Sequence, residues 1–255
     1  MIRSERIDKM EEYIVKNGFV SLDNLSKEFG ISLNTIRRDV SELLSNGKLK
    51  KVYGGVSAIK EQSPQSTLTT VSERRMRNLE QKERIAKYAS TFVEDNSTIF
   101  VDSGSTTALM IPYLALKKNI TIITHSLTIM AEAAKYDSLN LIGIGGIYQQ
   151  SSTSFIGNTV IDAMQDMSFD IVFMGTTSIM EEGLATNIYL EAEIKKNIAV
   201  HAKKVFLLAD HSKWEKRAAF SFCSYDSIDY LITDENLPEN ISNKMKDKNV
   251  SIIVV

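Results

Sequence analysis

The chain has 255 residues, 43% apolar and 24% charged, with a formal net charge of −2. That length and composition suit an intracellular two-domain protein with a sizeable core, and the single cysteine, Cys223, excludes an intrachain disulfide. No apolar run approaches a membrane span, and the amino terminus, Met1-Ile2-Arg3-Ser4-Glu5-Arg6, has no apolar signal region, so a cytoplasmic location is expected.

Taken in chain order, the first expected helix runs from Ser4 to Lys16 and offers Ile7, Met10 and Ile14 to a core. Ser21 caps a short second helix in which Leu22, Leu25 and Phe29 share one side, and Gly30 turns the chain toward Ser32. Ser32 then caps a third helix, ended by Gly47, in which Ile36, Val40, Leu43 and Leu44 form one apolar stripe. Its opposite face presents Asn34, Thr35, Arg37, Arg38 and Ser41, a mixture of base-edge readers and phosphate donors. Beyond it, Leu49 and Val52 alternate with Lys48, Lys50 and Lys51, and Tyr53-Gly54-Gly55 closes a two-stranded wing. These features describe a winged helix-turn-helix over residues 1–59, with Ser32, Asn34, Thr35, Arg37, Arg38, Ser41, Lys48, Lys50, Lys51 and Tyr53 facing duplex DNA. Residues 1–60 hold 11 Lys and Arg against 8 Asp and Glu, and five of the eleven lie between positions 37 and 51, so positive charge is concentrated where phosphates would be met.

Residues 3–56 resemble the DNA-binding end of the DeoR-type family of bacterial transcription regulators, whose signature joins Thr-Ile-Arg-Arg-Asp, here Thr35 to Asp39, to a Gly-Gly wing, here Tyr53 to Val56. The resemblance implies that Arg37 and Arg38 reach DNA while Asp39 orients its neighbours, in keeping with the repulsion a carboxylate would meet from phosphates. Residues 60–72, which hold one of three prolines and little apolar periodicity, read as a linker.

From 73 to 255 the pattern is α/β. A helix is expected over Glu80–Val93, with strands over Thr98–Val101, Ile120–Thr124, Leu139–Ile144, Ile171–Met174, Val205–Ala209, Tyr230–Thr233 and Ser251–Val254, and helices between most of them, around 106–117, 126–136, 157–167, 190–203 and 238–247. This describes a Rossmann-like, largely parallel sheet, whose ligands gather beyond the carboxyl ends of the strands. There the chain places Asp102-Ser103-Gly104-Ser105-Thr106-Thr107 after the first strand, Thr124-His125-Ser126 after the second and Gly145-Gly146 after the third, a convergence suited to a small phosphorylated or polyhydroxylated ligand. The first loop lacks the ending of a P-loop and the spacing of a dinucleotide fingerprint. His125, His201 and His211 have no metal-ligand spacing and read as structural or solvent-facing, so neither metal nor cofactor is expected.

This half also resembles the sensor half of the DeoR-type family, similar in fold to ribose-5-phosphate isomerase. The matching segments are Asp102 to Thr107, Gly145-Gly146, Gly175, Gly183 to Thr186, Glu191 to Lys195 and Leu208 to Lys213. The resemblance implies that the Ser/Thr loop holds the phosphate of a sugar phosphate with Asp210 and Lys213 nearby. His125 departs from the family's usual Asn and makes hydrogen bonding there pH-dependent. The rival reading is a sugar-phosphate isomerase with an appended DNA-binding domain. It lacks support, because Phe173-Met174-Gly175-Thr176-Thr177-Ser178 holds no carboxylate where the isomerases have Asp-Gly-Ala-Asp, and Glu181, Glu182, Glu191 and Glu193 read as solvated surface. A purely architectural DNA-binding protein would leave the strand-end hydroxyl and glycine clusters unexplained. The expected protein is thus a sugar-phosphate-released repressor of a carbohydrate or polyol operon, assembled as a dimer or tetramer to read repeated half-sites. Segments such as Glu11-Glu12-Tyr13-Ile14 and Lys51-Val52-Tyr53-Gly54-Gly55-Val56 resemble repressors of inositol catabolism.

Overall fold

The computed structural model describes residues 3–17, 19–45, 49–52, 55–58, 71–214 and 216–255. They belong to two compact units, one within residues 1–67 and the other within 68–255.

The first unit runs α1 (Arg3–Asn17), β1 (Phe19–Ser21), α2 (Leu22–Phe29), α3 (Leu33–Ser45), β2 (Leu49–Val52) and β3 (Gly55–Ala58). Ile7, Met10 and Ile14 of α1, Leu25 of α2, and Ile36, Val40 and Leu43 of α3 are buried together, with Leu22, Phe29 and Leu44 packed at the margin. The Ser21 side chain accepts from Asn24 N at 3.1 Å, and Gly30, at φ 64°, ends α2 in the left-handed region where its lack of a Cβ removes the steric penalty. The wing has three strands in the order β1-β3-β2, one more than the expected pair. At three residues, abutting α2, β1 is too short for an alternating pattern to declare itself.

The second unit opens with α4 (Val71–Met76) and α5 (Leu79–Ser90). Because α4 begins at Val71, the last two residues of the expected linker 60–72 are helical; the rest of it lies outside the described residues. Then follow β4 (Thr98–Val101), α6 (Ile111–Leu114), β5 (Ile120–Thr124), α7 (Leu127–Ala133), β6 (Leu139–Gly143), β7 (Ile147–Gln149), β8 (Ser154–Ile156), α8 (Asn158–Met164), β9 (Phe169–Met174), β10 (Ser178–Met180), β11 (Gly183–Thr186), α9 (Tyr189–Val200), β12 (Ala202–Leu208), β13 (Phe220–Cys223), β14 (Tyr230–Thr233), α10 (Glu239–Asp247) and β15 (Ser251–Val254).

The seven strands expected from the sequence form one parallel sheet in the order β15-β14-β12-β9-β4-β5-β6. Alternate side chains feed two cores. Phe100, Val172, Met174, Val205 and Leu207 enter one with α8, α9 and α10, while Ile99, Val101, Phe173, Phe206 and Leu208 enter the other with α5, α6 and α7. Each fully buried phenylalanine contributes about 1.5–3 kcal/mol, so helices on both faces are what a sheet this apolar requires. Two small antiparallel additions, β7-β8 and β10-β11-β13, were not anticipated. From β4 the chain winds outward to β5 and β6, and from β9 it winds the other way, so a topological switch point lies between β4 and β9.

Candidate functional site

In the first unit, α3 turns Asn34, Arg37, Arg38 and Ser41 to solvent, with Ser32 exposed before it and Thr35 half-buried. Ser32 Oγ accepts from Thr35 N at 3.3 Å and lies 2.9 Å from the Thr35 hydroxyl, so this pair closes the first turn of the helix. Arg37 and Arg38 make no ion pair among the described residues. Asp39 faces inward at 1% exposure and accepts from Arg3 Nε at 3.3 Å and Arg6 Nε at 2.9 Å, so the neighbours it orients belong to α1. Lys50 and Lys51 lie on β2, in register with Ser57 and Val56 of β3, whereas Lys48 and Tyr53 lie outside the described residues.

In the second unit, the loop after β4 sits at the switch point. Asp102 is fully buried, with Oδ2 accepting from Gly175 N at 3.0 Å and from Lys195 Nζ of α9, and Oδ1 3.2 Å from His125 Nε2. Lys195 also donates to Gly175 O at 2.9 Å. Burial opposes the Asp102 charge, yet the Lys195 ammonium and the His125 ring hold its carboxyl well below the usual carboxylate range. His125 Nδ1 lies 2.7 Å from Phe155 O, so the ring bridges a backbone carbonyl and the Asp102 carboxylate, two partners that can only accept. The ring stacks on Phe100.

The expected effector residues divide by what their polar atoms already do. Thr107 Oγ1 accepts from Gly104 N at 2.9 Å and donates toward Asp102 O at 2.6 Å; Thr124 Oγ1 donates to Val101 O at 2.6 Å; Ser126 Oγ caps α7 by accepting from Ile129 N at 3.4 Å. These hydroxyls shape the loops. A Cβ on Gly104 would lie 2.8 Å from Thr107 Oγ1, so glycine is needed for the loop to close, and Gly104 and Gly175 lie back to back. Ser103, Ser105 and Thr106 are buried, yet neither their hydroxyls nor their N–H groups take up a hydrogen bond among the described residues. Gly146 packs on β8, where a Cβ would come 2.9 Å from Ile156 O, while Gly145 faces open space.

Asp210 and Lys213 belong to a second charged group, coupled to the first through Arg74 of α4. Asp210 Oδ1 accepts from Asn78 Nδ2 and from Ser212 N, each at 3.0 Å, and its Oδ2 lies 3.8 Å from the Nζ of Lys82, a lysine only 2% exposed. Desolvation lowers Lys213 to about 8, offset in part by Asp210 and reinforced by Lys216, Lys82 and Arg74. The Arg74 charge is disfavoured by burial and supported by Glu191 and Asp102. Glu191 is buried and accepts from Thr186 Oγ1 at 3.1 Å, which corrects its expected place on a solvated surface; Glu181 and Glu182 are exposed. Four buried side-chain atoms lack a hydrogen-bond partner among the described residues, and three of them are here: Arg74 Nε, Glu191 Oε1 and Asp210 Oδ2. Native proteins rarely tolerate such atoms, so their clustering points to a missing polar partner.

Arg74, Asn78, Lys82, Glu191 and Lys195 were not among the residues expected at the site. Lys82 stands at a core position of the α5 stripe, three residues before Ile85, and Glu191 and Lys195 are four apart on α9 among buried Ala192, Ile194 and Ile198. Charge inside an apolar stripe was the available signal. Elsewhere, His211 Nδ1 lies 2.6 Å from Asp234 Oδ2, with Glu235 close by, a grouping that residues 23 apart in sequence conceal. The Asp234 hydrogen bond raises the His211 pKa.

Residues 77–235 match the family described as DeoR C terminal sensor domain, and residues 6–62 match the DeoR-like helix-turn-helix domain. The chain belongs to the DeoR family. It is similar to HTH-type transcriptional regulator IolR of Bacillus subtilis (strain 168), with 37% identity over 97% of each chain. It is also similar to the Glycerol-3-phosphate regulon repressor of Escherichia coli (strain K12), with 26% identity over 99% of each. Ribose 5-phosphate isomerase A of Methanocaldococcus jannaschii aligns with 55% of this chain and 56% of its own, at 22% identity and a TM-score of 0.38. As a DeoR-family member with the helix-turn-helix in place, the protein is a DNA-binding transcriptional regulator.

Proposed function

We propose that this regulator represses a carbohydrate or polyol catabolic operon and leaves its operator when a phosphorylated sugar or polyol binds at the ends of β4 and β9. The orphaned atoms carry the reading. Glu191 Oε1 and Asp210 Oδ2 are acceptors in need of hydroxyl donors, whereas Arg74 Nε, in the field that also includes Lys213 and Lys216, needs an anion. A polyol phosphate supplies both kinds of partner, and the unengaged hydroxyls and N–H groups of Ser103, Ser105 and Thr106 add donors for its phosphate. The E. coli relative, a glycerol-3-phosphate regulon repressor, supports the same ligand class.

The site is read as binding without chemistry. A general base must be free to take a proton, and Asp102 is fully engaged by Gly175, His125 and Lys195. Assembly of several copies is supported by the sheet's edge strand β6, where Leu141 and Ile142 are exposed and the stretch from Leu139 to Gly146 carries no charge to discourage pairing. A cytoplasmic location follows from a role on genomic DNA; among the described residues, no helix is long and apolar enough to cross a membrane.

A mobility-shift assay with the DNA upstream of the operon beside the coding gene, titrated with a panel of sugar and polyol phosphates, tests the reading. A retarded fragment released by one phosphorylated compound and not by its dephosphorylated form is expected. Turnover of ribose 5-phosphate at ordinary isomerase rates would overturn it.

A further inference from the structure

Helix α4 is the first described element after residues 59–70, so there the second unit takes hold of the chain coming from the DNA-reading unit. At six residues it is too short to persist alone and depends on its attachments. Val71 is buried and donates its N–H to Ser151 O at 3.1 Å. At the other end, Lys82 Nζ donates to Arg74 O and, at 2.6 Å, to Arg77 O, two carbonyls that the helix end leaves unpaired.

The side chain of Arg74 points this attachment toward the site. Its guanidinium feels the charges of Glu191 and Asp102 and acts on Lys82 and Lys213, so it belongs to both charged groups. Yet Arg74 Nε and Glu191 Oε1 are each buried without a hydrogen bond. A guanidinium and a carboxylate that attract without pairing, each keeping an orphaned atom, each lack a polar partner that a third group can supply. The excess of cations around Arg74 makes that group an anion on the arginine side.

Resting on the effector reading above, we propose that Arg74 binds the effector's anionic group and thereby ties occupancy of the strand-end site to α4 and the chain leading to the DNA-reading unit. The anion supplies the partner Arg74 lacks, so the bound state favours the docked form of α4 over its alternatives. By linkage, whatever arrangement of the DNA-reading unit goes with docked α4 is favoured to the same extent.

The test uses the full chain with inorganic phosphate as the probe, at constant ionic strength against chloride, reading thermal midpoint, affinity and amide exchange over residues 71–77. Phosphate should raise the midpoint and slow exchange in α4. Arg74→Gln should weaken phosphate about 10- to 100-fold, the loss of a charged hydrogen-bonded contact, and abolish the slowing. Arg77→Gln, an exposed neighbour, should change neither. If Arg74→Gln does not fold, Arg74→Lys, which keeps the charge and loses the planar donors, provides the same comparison. Phosphate binding with α4 exchange unchanged, or undiminished affinity in the Arg74 variant, overturns the proposal while the effector reading stands. No response to phosphate, ribose 5-phosphate or glycerol 3-phosphate overturns both.

Discussion

Lys195 and Asp102, 93 positions apart in the chain, meet as a buried ion pair, and the Lys195 ammonium also donates to Gly175 O at 2.9 Å. One side chain of α9 therefore joins the ends of β4 and β9. Asp102→Asn would leave an uncompensated buried ammonium, and chemical denaturation should register a loss of about 3–5 kcal/mol. Because the folded Asp102 pKa is depressed, its contribution is complete above the ordinary carboxylate range and declines only as pH falls toward the folded value. The deficit of the variant should therefore be flat across neutral and mildly acidic pH, and a deficit that vanished at neutral pH would refute the charge-pair account.

Arg38 is exposed on α3 with no ion pair among the described residues. Arg38→Ala should lower operator affinity by about 1–3 kcal/mol if it reads a base, or reduce the salt slope by about one if it holds a phosphate. Fluorescence anisotropy over a salt series distinguishes these outcomes.

Asp39 is buried behind the exposed face of α3, where it holds Arg3 and Arg6 of α1. Asp39→Ala leaves Arg6 without its buried carboxylate and Arg3 with Glu42 alone among the described residues, and should destabilise the first unit by about 1.5–3 kcal/mol, the worth of hydrogen bonds between charged groups. Thermal melts should record that loss together with weaker operator binding, while the salt slope stays unchanged, since no phosphate contact is removed.

Thr106→Ala and Lys213→Gln should keep operator affinity and blunt release by the effector, measured as a rightward shift of the release curve. Lys213 loses its proton near pH 8, so the effector's anion should bind less tightly as pH rises through that value. Its lowered pKa means that the folded state sheds a disfavoured charge before the unfolded chain does, so this residue's contribution to stability rises with pH from about 8 toward 10.5. A pH-independent effector affinity in the wild type would remove Lys213 from the site.

Leu141→Lys, on the open edge of β6, should leave the fold intact and shift the assembly toward smaller species in analytical ultracentrifugation. Unchanged mass would place the interface elsewhere.

Much of the architecture was legible because its signals are local. Caps at Ser21 and Ser32, the stripe from Ile36 to Leu44 and seven short apolar runs each announce an element within a few residues, and all seven runs pair in the parallel sheet. The short antiparallel strands carry no such signal, since three residues such as Ser178–Met180 fit many conformations. At the proposed site, hydroxyls and a glycine make the Asp102 loop conspicuous in the sequence, but Arg74, Lys82, Glu191 and Lys195 are distant in sequence and acquire meaning only when α4, α5 and α9 converge on the strand ends. The spacing of Glu191 from Glu193 suggests solvent, whereas α9 turns Glu191 toward Thr186.

The strand order bears on how the protein comes into being. A ribosome completes the three helices and wing of the reader within the first 58 residues, but the charged floor beside Gly175 waits for Lys195, and Asp210 and Lys213 emerge later still. Domains generally fold as they are synthesised, so a nascent chain would possess its reader before it possessed the groups proposed to answer the effector.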